Sequence, residues 1–299
     1  MVNDLAHQLL SGDFKLLELS PEASPRRYFR VALQNKLLVS SEQPPATDCQ
    51  DILSKCGIAT PKYFNAVEGG YLIEDCGDQH LSNEPSTANY QALIDDWFTF
   101  SRVQLASSHP NFALALDTEL FTHELRQFVN CYLIEYLQCE LSQTQLEHLH
   151  QLCAHLAADA GAGPQCLQHR DFHCRNIMLH PKHPQPLWID FQDMRRGPIF
   201  YDLASLFTDA YLDLGDDIFK LINAAVMRLG NEHAMHHDDC HPQFLVTALQ
   251  RVLKALGTFG FLINNGRSEY RDAARRATIC ALGLLDQLPE YYDLRQHLS

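Results

Sequence analysis

The stretch HRDFHCRNIMLHPKHPQPLWIDFQDMRRGPIFYD, His169 to Asp202, decides how this 299-residue chain is read. It contains the spacing HxDxxxxN at His169, Asp171 and Asn176. An apolar run, Leu187, Trp188 and Ile189, then ends in Asp190, and a Gly197-Pro198 turn leads to a further acid, Asp202. Phosphoryl transfer demands little covalent chemistry of a protein: it must hold the nucleotide's metal ions and aim the acceptor hydroxyl. An aspartate on a loop can accept the hydroxyl proton. An Asn five residues later and an Asp closing the next strand supply the hard oxygen ligands that Mg²⁺ prefers. Asp171 is therefore the candidate catalytic base, and Asn176 and Asp190 are the candidate metal ligands. His169 and Asp202 are expected to pack and hydrogen-bond beneath the loop. HxD alone is too common to carry this assignment. The weight lies in its coincidence with an acid 19 residues after Asp171 and a GPxxYD motif ending 12 residues beyond Asp190.

The same stretch resembles the catalytic segment of the protein-kinase-like superfamily. Protein kinases usually have Lys where this chain has His173. That histidine, the missing glycine in DFQD and the segment GPIFYDLASLF resemble the aminoglycoside phosphotransferase and choline kinase branch. Within the branch, His169 to Met178, Asp190 to Leu206 and Glu22 to Val31 are similar to the bacterial anomeric N-acetylmuramate and N-acetylglucosamine kinases of cell-wall recycling. The resemblance implies an α+β, protein-kinase-like two-lobed fold. Residues 1–76 would form a small β-rich nucleotide-covering lobe and residues 77–299 a larger, mostly helical catalytic lobe, with ATP between them. It also implies Mg²⁺ and a small-molecule acceptor, an amino sugar phosphorylated at its anomeric hydroxyl. Two other readings stay open: the same machinery acting on another alcohol, such as an aminoglycoside, choline or a different sugar, and a nucleotide-binding regulator without catalysis.

In the first lobe, strands are expected over Phe14 to Leu19, Arg26 to Leu33 and Lys36 to Ser40, with a turn at Gln34 and Asn35. The turns carry no glycines, so backbone amides and the hydroxyls of Ser20 and Ser24 are expected to cradle phosphate. Ser40 stands where protein kinases place a phosphate-pairing Lys. By the period of two, Arg27, Phe29 and Val31 share one strand face and Arg26, Tyr28 and Arg30 the other. If Val31 lies over the adenine, Arg27 becomes the phosphate partner, with Lys36 as a substitute. YLIEDCGD resembles the hinge of the family, which implies adenine pairing by backbone groups near Glu74 and Asp75.

Helices are expected over residues 47–56, from Ser86 or Thr87 to Ser107, over 118–137, and from a Ser142/Gln145 capping box to Ala160. Further helices are expected over 201–214, 217–229, 242–262 and 268–285. Asp193, Arg195 and Arg196 are candidate substrate contacts in the loop after Asp190. Arg251 and Lys254 would either face inward or stay solvated. HAMHHDDCH, His233 to His241, carries metal-ligand residue types but reads better as a polar linker. The ten cysteines form no CxxC pair, as expected of reduced, mostly buried thiols. A net charge of −14 argues against general nucleic-acid or anionic-membrane binding. No obligate protein partner is evident. The polar, acidic N-terminus and the shortness of the apolar runs suggest neither a signal peptide nor a membrane span, so a cytoplasmic protein is expected.

Overall fold

The structure, a computed structural model, describes residues 2–19, 26–105, 109–181 and 183–298. The chain forms two compact units: Met1–Glu84 with Asn176–Gln192, and Pro85–Arg175 with Asp193–Ser299. The architecture is α+β, of the two-lobed kinase-like kind.

The first unit begins with helix α1 (Val2–Leu9). There follow β1 (Leu16–Glu18), β2 (Arg27–Val31), β3 (Lys36–Ser40), helix α2 (Thr47–Lys55), β4 (Tyr63–Val67) and β5 (Gly70–Glu74). These strands form one antiparallel sheet in the order β1-β2-β3-β5-β4. Side-chain alternation gives the sheet two unlike faces. Phe29, Leu38 and Leu72 are register partners across three strands, and with Val31 they bury against Leu5, Ala6 and Leu9 of α1. The approach of α1 is close enough to require glycine at position 70. A Cβ there would lie 2.4 Å from the Val39 carbonyl oxygen and 2.6 Å from the Leu5 side chain. The opposite face carries Tyr28, Val39 and Tyr71 in register. There Tyr63 meets Tyr71 edge-on at 5.5 Å and Phe191 at 6.5 Å.

The Asn176–Gln192 segment rejoins this unit through a short hairpin of β7 (Ile177–Met178) and β8 (Leu187–Trp188). The Trp188 amide donates to the Ala59 carbonyl at 2.9 Å and the Leu179 amide to that of Gln79 at 2.7 Å. Met178 and Leu187 bury with Cys76. Where the sequence suggested a break after residue 76, the unit therefore continues to Glu84 and takes the Asn176–Gln192 segment with it.

In the second unit, Ser86 caps α3 (Thr87–Ser101), which stops short of the expected Ser107. After α4 (Pro110–Ala113), α5 (Thr118–Gln127) runs into a π-helix over Phe128–Tyr136. The sequence suggested one α-helix over this whole span. The capping box of α6 (Gln143–Gly161) forms as expected. Strand β6 (Gln165–Gln168), which was not anticipated, leads into the catalytic loop and pairs with β9 (Arg195–Pro198). Helices α7 (Tyr201–Phe207), α8 (Asp216–Glu232), α9 (His237–Asn264) and α10 (Arg271–Leu285) follow.

Helix α9 is the axis of this unit, packed by α5, α6, α7, α8, α10 and the π-helix. Contrary to the sequence expectation, its 28 residues are long and apolar enough by composition to cross a membrane; 67% of its most apolar window is buried in protein, so it is a core helix here. His237–His241 form its first turn and a half rather than a linker. Among the described residues no group of three or more His, Cys, Asp or Glu side chains is placed to hold a metal ion.

Candidate functional site

The catalytic loop hangs from two buried carboxylates of the second unit. Asp202, in the first turn of α7, is wholly buried. Its Oδ2 accepts from the His169 amide at 2.7 Å and the Trp97 indole at 3.0 Å, and its Oδ1 from the Arg170 amide at 3.0 Å. Its own amide donates to Gln168 at 3.0 Å. Burial pushes the Asp202 carboxyl up and these donors oppose the rise. Seven residues on, just past the C-terminal end of α7, Asp209 accepts from the Cys174 amide at 2.7 Å and the Tyr211 amide at 3.0 Å. Asp209 was not recognised from sequence: it lies beyond the end of α7, where no helical spacing relates it to Asp202. Between these anchors Arg170 adopts a left-handed φ of 83°, strain of the kind kept at functional sites.

Asp171 is surrounded by cations. Lys254 of α9 donates to its Oδ1 at 2.8 Å, and Arg251, one helical turn earlier, lies 3.4 Å from the same oxygen. Burial would raise the carboxyl, but Lys254, Arg251 and Arg170 hold it well below the usual carboxylate range. His173 is placed edge-on to Tyr211, and burial draws its imidazole down to about 3, so it is neutral at physiological pH. Glu124 of α5 is buried, accepts from Gln250 at 3.0 Å and lies 3.8 Å from Arg170. Arg251 and Lys254 thus face inward.

The loop candidates separate. Asp193 lies 3.6 Å from Arg170 and 3.3 Å from Arg195, which also donates to the Asp193 carbonyl at 3.1 Å. Arg196 is different: it stands exposed on β9, and its backbone pairs with Leu114 and Leu116.

In the first unit, Asn176 and Asp190 come together. The side-chain Nδ2 of Asn176 donates to Asp190 Oδ2 at 3.4 Å, and Gln192 Nε2 donates to Oδ1 at 2.8 Å. Asp190 has a φ of 61°, again a left-handed, strained backbone. The oxygen-bearing side chains of Asn176 and Asp190 on adjacent chain segments fit a hard divalent ion.

The expected ATP-side residues are redistributed. Val31 is buried under α1 rather than open to a nucleotide. Arg27 is exposed, paired with Glu18 at 2.8 Å and set over the Phe29 ring on that same face. The two expectations fail together because α1 covers the face on which both residues lie. Arg26 lies on the Asp190 side: half-buried, it donates to Gln43 at 2.9 Å, and Tyr71, Tyr28 and Asp190 are its electrostatic neighbours. Arg30 is held by Asp75 at 2.6 Å and Asp78 at 2.9 Å, and the Lys36 ammonium lies over Phe64. The Glu74 amide is committed to the Lys62 carbonyl at 2.8 Å, and the Asp75 amide to Asn35 at 3.2 Å. The expectations for Ser20 and Ser24 fall outside the described residues.

The sequence pattern of the phosphotransferase enzyme family matches residues 15–231. The chain belongs to this family. Over 92% of its length and 89% of the relative's, the phosphotransferase is 28% identical to an N-acetylmuramate/N-acetylglucosamine kinase of Pseudomonas aeruginosa. A protein of the same name from Neisseria meningitidis is 27% identical, over 87% of this chain and 82% of the relative. Among solved structures, ADP-bound aminoglycoside phosphotransferase APH(2'')-Ib superposes with a TM-score of 0.59 at 16% identity, covering 92% of this chain and 95% of that one. A choline/ethanolamine kinase family protein from Mesorhizobium loti also gives 0.59, at 10% identity, covering 94% and 92%.

Proposed function

We propose that the phosphotransferase moves the γ-phosphoryl group of ATP to the anomeric hydroxyl of an amino sugar, N-acetylmuramate or N-acetylglucosamine, in peptidoglycan recycling. The observation that carries this reading is the charge around Asp171. Lys254, Arg251 and Arg170 surround it, with Arg195 on the loop beyond. Such a cluster of cations repels a polycationic aminoglycoside and suits a neutral or acidic sugar. The names of the relatives support the same acceptor class.

The depressed Asp171 carboxyl is a weak base, and an anomeric hydroxyl is more acidic than an ordinary alcohol because the ring oxygen withdraws electrons. The two match: Asp171 orients the hydroxyl and takes its proton late, as the bond to phosphorus forms. Magnesium supplies charge neutralisation along the phosphates, and Asn176 and Asp190 would hold it. Arg26 is the cation on the Asp190 side for the phosphates. Asp193 and Arg195 remain the loop residues for the acceptor. An ATP donor puts the reaction in the cytoplasm.

The test is ADP release with Mg²⁺-ATP across N-acetylmuramate, N-acetylglucosamine, choline and kanamycin, with phosphorus NMR of the product. An anomeric phosphate from either N-acetyl sugar is the expected result. Turnover of kanamycin or choline with silence from both sugars would overturn it.

A further inference from the structure

We propose that Lys254, carried on α9 far along the chain from the catalytic loop, is the positioning residue that keeps Asp171 ionised and fixed in orientation for its acceptor. The inference rests on the reading of Asp171 as the acceptor-facing carboxylate. It begins from a gap in the loop itself: two residues after Asp171, where protein kinases usually have a lysine, stands His173. That side chain is set against Tyr211 and gives Asp171 no positive charge. The cation comes instead from α9. Lys254 Nζ lies 2.8 Å from Asp171 Oδ1 with its side chain only 14% exposed, and Arg251 Nη2 reaches the same atom at 3.4 Å with 7% exposed. Two buried cations on one oxygen fix the carboxylate's rotation and its charge together.

Among the described residues, the charged and titratable groups around Asp171 come from four elements. Arg251 and Lys254 come from α9, Arg170, His169 and His173 from the loop, Glu124 from α5 and Tyr201 from α7. Of the cations, Lys254 makes the shortest contact, and it is also the one able to lose its proton. Burial draws its ammonium below the ordinary lysine value, so on the alkaline side it is neutralised early. Asp171 then loses its nearest partner while Arg251 stays charged. A proton-dependent loss of activity below the ordinary lysine range follows, and an arginine at 254 removes that limb.

The test combines a titration that needs no substrate with a pH–rate profile. The Asp171 carboxyl is followed by carbon NMR in protein labelled at aspartate, assigned with Asp171→Asn, in wild type, Lys254→Met and Lys254→Arg. The midpoint is expected to rise by about one pH unit or more in Lys254→Met and to stay low in Lys254→Arg. In turnover, Lys254→Met should lower kcat by roughly 10- to 100-fold with KM for ATP unchanged, the scale of loss that follows misplacement of a reacting group. Lys254→Arg should retain kcat and hold activity to higher pH than wild type. An unmoved midpoint in Lys254→Met, or an identical alkaline limb in Lys254→Arg, overturns the inference. If the midpoint moves as expected but no N-acetyl sugar is phosphorylated, the positioning of Asp171 stands and the proposed acceptor alone fails.

Discussion

Arg26 and Arg27 are adjacent in sequence and end on opposite sides of one sheet. Arg27 pairs with Glu18 in solvent, an arrangement worth at most about 1 kcal/mol, whereas Arg26 is half-buried on the side of Tyr28, Tyr71 and Asp190. Arg26→Ala should therefore raise KM for ATP by about tenfold, the loss of a charge-assisted contact, and Arg27→Ala should leave it within about twofold. Steady-state kinetics at varied ATP checks both; equal effects would remove Arg26 from the phosphate side. The alternation of the two faces was legible in RRYFRV, but which face looks toward Asp190 was not. Both rows are partly apolar, and only the packing of α1 on Phe29 and Val31 decides between them. Arg251 and Lys254 were ambiguous for a related reason. Their spacing put them on one helix face, and nothing local said that this face meets Asp171 rather than water.

At the scale of elements, α9 is held in place by two glycines. A Cβ at Gly257 would lie 2.7 Å from the Phe128 amide nitrogen, and one at Gly260 would lie 2.6 Å from the Cys131 carbonyl oxygen, both on the π-helix. Backbone contact this close leaves no room for a methyl group, so Gly257→Ala should destabilise the protein by about 1–3 kcal/mol. It should also lower kcat, because Lys254 lies one turn away on the same helix and moves with it. Gly283, in α10, has open space where a Cβ would stand, with nothing within 4 Å, so Gly283→Ala should stabilise by about 0.5–1 kcal/mol. Thermal melts of the two variants should therefore shift in opposite directions; a Gly257→Ala melt at or above wild type would show that α9 can move away without cost. The π-helix was not readable beforehand, because Phe121, Leu125, Phe128, Val129 and Tyr132 satisfy an ordinary α period. Its wider turn is adjacent to the backbone contact that Gly257 and Gly260 permit, a long-range feature no local pattern encodes. The capping box at Ser142 and Gln145 is the opposite case: two side chains three residues apart specify the helix start by themselves, and it formed where expected.

For the whole molecule, the candidate residues fall into two groups by chain position. Asp171, Lys254 and Arg251 belong to the second unit, while Asn176, Asp190 and Arg26 belong to the first. The sequence brought Asp171, Asn176 and Asp190 into one motif, yet the proposed roles divide at Arg175, where the chain passes from one unit to the other. Loss of function should divide in the same way. Asp190→Ala removes one of the two proposed metal ligands and should abolish the Mg²⁺-dependent part of nucleotide binding. Asp171→Asn leaves that pair intact, so it should bind Mg²⁺-ADP within about threefold of wild type while turnover falls by roughly 100-fold or more, the range of a lost general base. Calorimetric titration of ADP into each variant, with Mg²⁺ and with EDTA, separates the two. If Asp171→Asn lost nucleotide affinity as severely as Asp190→Ala, the carboxylate would be acting on the metal and nucleotide rather than on the acceptor, and the division of labour between the units would fail.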